Sequence, residues 1–186
     1  MEDFEIVELY WDRDEDAITQ SNLKYGRYCK SIAYNILFSH EDSEECVNDT
    51  WVRAWESIPP NRPEKLGAYL GKITRNLALN MYDKMKALKR GSNQTEVCLD
   101  ELAEVLGHES DVQQHLDVTS LTESINRFLR TLDSETRKIF VRRYWYMSSV
   151  NEIAWQYQIT PSKVKMSLLR TREKLKTHLI KEGFEV

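Results

Sequence analysis

Apolar residues in this chain recur every three or four positions, and nowhere do they alternate with the period of two that a half-buried strand requires. Tyr25, Cys29, Ile32 and Ile36 are spaced four, three and four. Leu121, Ile125, Phe128 and Leu132 repeat the pattern far downstream, and Val164, Leu168 and Leu175 continue it near the end. Four prolines and six glycines, thinly spread over 186 residues, leave long helices uninterrupted. The expected fold class is all-α.

Two breaks divide the helical pattern. Three prolines within PPNRPEK (Pro59–Lys65) preclude regular helix there and hold the segment stiff and extended. A GSNQT opening and a wholly acidic stretch make residues 91–119 a linker, expected to be mobile with at most a short helix near Leu99–Leu106. The chain thus reads as two small helical domains, 1–90 and 120–186, joined by an acidic flexible linker.

Charge follows the same division. The formal net charge is −4, but residues 1–66 carry a net −8, 67–92 a net +5, 93–119 a net −7 and 120–186 a net +6. Two basic segments separated by acidic ones fit two nucleic-acid surfaces plus acidic surfaces for another partner.

The second basic segment has the form of a helix-turn-helix. Ser149 and Glu152 have capping-box spacing and open a short helix with Ile153, Ala154 and Tyr157 on one face. Thr160-Pro161 opens the next, with a hydroxyl at the N-cap and proline where no amide proton is needed. Lys163, Lys165, Arg170, Arg172, Lys174 and Lys176 fall largely off its buried stripe. Gln158 stands in the turn where glycine often supplies the left-handed residue. The competing reading is a helical hairpin with a solvated basic face.

In the first basic segment a helix is expected from about Leu66 to Lys89. Leu70, Ile73, Leu77 and Met81 mark its inner face, and Lys72, Arg75, Lys84, Lys86, Lys89 and Arg90 its charge. Tyr69, Asn76, Asn80 and Tyr82 interleave aromatics and amides with those cations, which suits unpaired bases. The alternative is that the two tyrosines are half-buried core residues.

Cys29, Cys46 and Cys98 show no metal-ligand spacing, and Cys29 and Cys46 sit among apolar helix positions, as small buried hydrophobes of a reducing compartment would. Neither signal peptide nor membrane-spanning run is evident, so a soluble cytoplasmic protein is expected. The acidic segments Asp12–Asp16 and Glu41–Asp49 lack a histidine at ligand spacing, so neither a metal site nor an enzyme is expected, and no cofactor.

Taken together, these motifs resemble a bacterial RNA polymerase sigma factor of the extracytoplasmic-function group, over about residues 10–90 and 120–180. EDSEECVNDTWVRAW (Glu41–Trp55) is similar to that family's core-polymerase-binding helix. KLGAYLGKITRNLALNMY (Lys65–Tyr82) is similar to its promoter-melting helix. LDSETRKIFVRRYW, EIAWQYQIT and PSKVKMSLLRTREKL follow its last three helices in order. The resemblance implies that Glu45, Asn48, Asp49 and Arg53 meet the clamp helices of the polymerase largest subunit. It implies that Tyr69, Lys72, Asn76 and Asn80 hold the minus-ten element as single strand. It further implies that Ser162, Lys163, Lys165, Met166, Leu169 and Arg170 meet the minus-thirty-five duplex, Ser162 and Lys163 as phosphate contacts. Asn48 and Asp49 replace the more usual Gln and Glu, Tyr69 the usual Trp, and Met166 and Leu169 are apolar where polar or aromatic residues are common. The partners implied are polymerase core, promoter DNA and, for many such factors, an anti-sigma factor. A conventional helix-turn-helix regulator, with the first domain serving dimerisation or an effector, is the alternative.

Overall fold

The structure is a computed structural model and describes residues 1–86, 94–106 and 114–184. The described residues form helices α1 (Asp3–Trp11), α2 (Asp16–Leu37), α3 (His40–Ser57), α4 (Leu66–Lys86), α5 (Gln94–Leu106), α6 (Gln114–Thr131), α7 (Ser134–Tyr144), α8 (Val150–Tyr157) and α9 (Pro161–Lys181), with no strand among them. The chain is all-α. It divides into two compact units, Met1–Gly91 and Ser92–Val186. No described helix is long and apolar enough to cross a membrane.

In the first unit α2, α3 and α4 pack on one another, with α1 closing one end. Ser39 caps α3 through the amide of Asp42 (3.2 Å), and Glu41 and Asp42 occupy its first turn, where the helix dipole favours them. α2 and α4 come together at two glycines. A Cβ on Gly67 would lie 2.7 Å from the Tyr25 ring, and one on Gly71 would lie 2.6 Å from the Tyr28 hydroxyl oxygen. The tyrosines of α2 therefore seat where α4 has no side chain.

The buried stripe of α4 differs from the expected one. Leu66, Leu70, Thr74, Ala78 and Tyr82 point inward at four-residue intervals, while Ile73, Leu77 and Met81 are only half-buried. Thr74 is accommodated because its hydroxyl donates to the Leu70 carbonyl (2.9 Å) and receives from Thr50 (3.1 Å). Tyr82 is accordingly a core residue. The expected extension of the helix through Lys89 and Arg90 lies outside the described residues.

The second unit buries Phe128, Ile139, Phe140, Ile153, Val164, Leu168, Leu175 and Leu179 in one cluster. The expectation of a linker over 91–119 is corrected at Gln94–Leu106, which is a helix of this unit, packed on α7 and α9 with Cys98 and Val105 buried. Residues 91–93 and 107–113 of the expected mobile stretch lie outside the described residues, and α6 already begins at Gln114. Its acidity is what docks α5. The Glu101 carboxylate receives Arg143 Nη2 (2.7 Å) and Nε (3.0 Å), the Tyr144 hydroxyl (3.0 Å) and Arg172 Nη1 (3.3 Å). Burial alone would raise the Glu101 pKa, but these donors hold it below the usual carboxylate value. Arg172, expected on the basic surface, is instead engaged here.

Candidate nucleic-acid interface

Two surfaces gather the residues singled out from the sequence. In the first unit, the C-terminal half of α3 and the outer face of α4 border an open cleft of about 370 Å³. Tyr69, Lys72, Asn76 and Asn80 lie along one side of it, one helical turn apart, with Ile73 and Leu77 forming its floor and Arg53 and Ser57 its other side. Half-buried Ile73 and Leu77 supply an apolar surface, the exposed amides of Asn76 and Asn80 supply donors and acceptors, and Lys72 supplies charge. The Tyr69 hydroxyl donates to Ser57 Oγ (2.9 Å), which donates to the Arg53 carbonyl (2.6 Å), so the ring is tethered to the end of α3. Arg75, beside Asn76, is half-buried, and burial lowers its pKa.

Arg53 joins two groups that the sequence kept apart. With Glu45, Asn48 and Asp49 it lies on the exposed face of α3, opposite buried Cys46, Val47, Thr50 and Ala54, and it also borders the cleft, its Nη1 2.9 Å from Glu56. Exposed Val52 lies within the same acidic face. Ser57, Ile73 and Leu77 were not singled out as site residues. A signal existed in the hairpin of α3 and α4 about the prolines, which brings position 57 against position 69.

In the second unit the expected caps are present. Ser149 and Glu152 close a reciprocal capping box (3.1 and 2.6 Å), Thr160 Oγ1 accepts from the Lys163 amide (3.2 Å), and Pro161 is the first residue of α9. Gln158 adopts the left-handed conformation, φ 54° and ψ 42°, and so makes the sharp turn without glycine. Ser162, Lys163, Lys165, Met166, Leu169 and Arg170 are all exposed on α9. Lys163 Nζ pairs with Glu135 (2.7 Å), and Lys163, Met166, Arg170 and Lys174 line a cleft of about 290 Å³ against the start of α7.

Residues 23–87, which span α2 to α4 and the proline-rich connection, match the family model of sigma-70 region 2. Over these residues the first unit is similar to sigma-70 region 2. A comparison with curated proteins gave no match. The cleft lined by Tyr69 and Asn76 and the exposed face of α3 both fall within the matched residues.

Proposed function

We propose that the protein is a sigma factor of the extracytoplasmic-function type, which joins RNA polymerase core in the cytoplasm and directs it to promoters. The observation that carries this reading is the convergence of Tyr69, Lys72, Asn76 and Asn80 on a single cleft within the residues similar to region 2. Unpaired DNA offers a phosphate strand and bases with free edges and faces. Lys72 neutralises the strand, the Asn76 and Asn80 amides meet base edges, and Tyr69 with Ile73 and Leu77 contacts an extruded base. The exposed α3 face bearing Glu45, Asn48, Asp49 and Arg53 is the surface for the clamp helices of the polymerase largest subunit.

The second unit reads the minus-thirty-five element as duplex. α9 enters the major groove by its N-terminal turns, where Ser162 and Lys163 face phosphates and Lys165, Met166, Leu169 and Arg170 face base edges. No covalent chemistry is required of the protein. Binding free energy from two DNA surfaces and one polymerase surface favours strand opening at the promoter.

Run-off transcription with purified polymerase core across a promoter library tests this reading, and start sites that depend on the added protein are expected. Asn76→Ala should impair binding to fork DNA and leave association with core intact. Failure to join core, or transcription no better than from core alone, refutes the reading.

A further inference from the structure

Residues 3–13 run back along the connection between α3 and α4 and touch, in reverse order, the end of α3, the connection itself and the start of α4. Arg13 Nη1 donates to the Trp55 carbonyl (2.6 Å), its guanidinium 5.3 Å from the centre of that indole. Five residues earlier, both carboxylate oxygens of Glu8 lie 2.6 Å from Arg62 Nη2, and the Arg62 guanidinium stands 5.0 Å from the Trp11 ring centre. Five residues earlier again, Asp3 accepts the amide of Leu66, the first residue of α4, at 3.1 Å. Lys24 (2.8 Å) and the Tyr25 hydroxyl hold that carboxylate in place. Beneath these contacts Ile58 and Leu66 are fully buried in one cluster with Ile6, Val7 and Tyr10.

We infer that α1 is a splint for this connection, and that Asp3, Glu8 and Arg13 are positioning residues for the DNA cleft beside it. The inference rests on the functional reading above and adds how its site is held open. Prolines 59, 60 and 63 have no amide proton to donate, and within the segment the Asn61 amide (3.1 Å) and Nδ2 (2.9 Å) both donate to the Ser57 carbonyl. The tie of the segment to its surroundings thus depends on side chains from elsewhere. Ser57, which receives the Tyr69 hydroxyl, stands at one end of the segment, and Leu66, three residues before Tyr69, at the other. Movement of the segment therefore displaces the wall of the cleft. The Glu8–Arg62 pair is half-exposed on both sides, so its loss weighs little on global stability and falls mainly on the segment it fastens.

The test uses the full chain. Asp3→Ala, Glu8→Ala and Arg13→Ala are combined, and hydrogen exchange is followed over residues 57–66 beside fork-DNA binding by the complex with polymerase core. Exchange in that segment should rise while α2 and α3 keep their protection. If the competent shape falls to a tenth of the population, fork DNA should bind about tenfold more weakly. Core association should be unchanged, and exchanging the charges (Glu8→Arg with Arg62→Glu) should restore much of what Glu8→Ala loses. Unchanged exchange over 57–66 overturns the splint. Faster exchange with unaltered fork-DNA binding overturns the positioning role. A wild-type complex that holds fork DNA no better than duplex refutes the functional reading instead, and exchange then still decides whether α1 fastens the segment.

Discussion

Replacing Glu101 with alanine would remove the carboxylate that joins α5 to α7 and α9. Arg143, only 3% exposed, would keep the Ser148 carbonyl at 3.2 Å but lose its counter-charge. Breaking a fully buried pair costs about 3–5 kcal/mol. Glu101 retains 25% exposure and Arg172 16%, and water reaching these groups reduces the loss to about 2–3 kcal/mol. For a unit of this size each kcal/mol moves the midpoint by about 4–8 °C, so the second unit should melt about 10–20 °C lower. Differential scanning calorimetry of the full chain reads this directly, with the first unit's transition as internal reference. Glu101→Leu with Arg143→Met should recover part of the loss, because the most buried guanidinium leaves with its counter-charge while Arg172 keeps the Tyr144 hydroxyl (2.7 Å). The folded-state pKa of Glu101 is lowered, so its contribution is present above the unfolded value of about 4.3 and is lost as pH falls through the folded value. That acid dependence should vanish in Glu101→Gln. A midpoint shift below about 2 °C for Glu101→Ala would refute the reasoning, since it corresponds to well under 1 kcal/mol.

Gly71→Ala places a Cβ 2.6 Å from the Tyr28 hydroxyl oxygen and 2.9 Å from its ring. Overpacking costs about 1–3 kcal/mol and exceeds the helix propensity gain of about 1 kcal/mol, so the urea midpoint of the first unit should fall; a rise would contradict the packing. Arg170→Ala should weaken minus-thirty-five binding by about 1–3 kcal/mol if the contact is bidentate to a base. Equal loss on every duplex sequence would make Arg170 a phosphate anchor. Burial pushes the Cys46 thiol up to about 12 and Cys98 up to about 11, and it also raises Cys29. All three should resist Ellman's reagent at pH 8 until the protein is unfolded, and rapid labelling of the native chain would show that the cores open.

Local chemistry made much of this fold legible. Ser149 with Glu152 and Thr160 with Pro161 announce helix starts because each cap is satisfied within three residues. The rotation of α4 was not legible. Hydrophobicity alone prefers Ile73 and Leu77 to Thr74 and Ala78 as core residues, whereas the packing selected small side chains and a hydroxyl with a buried partner. A short helix near Leu99–Leu106 was legible, but the start of α5 at Gln94 and its docking were hidden for a similar reason. A segment bearing only negative charge reads as solvated until Arg143 and Arg172, 42 and 71 residues away, are brought beside Glu101. The cleft residues Tyr69, Lys72, Asn76 and Asn80 were recognisable as an aromatic and amides interleaved with a cation, at spacings of three, four and four. The Ser57 and Arg53 that complete the cleft depend on how two helices meet, as does the capping of Leu66 by Asp3 across 63 positions.

The seating of Tyr25 and Tyr28 at Gly67 and Gly71 has a thermodynamic consequence. With its back pressed on α2 and the two tyrosine rings seated against its glycines, α4 presents Asn76 and Asn80 from a surface that is already ordered. Little conformational entropy remains to be surrendered when a strand arrives, and the heat-capacity signature of coupled folding should be absent from that encounter.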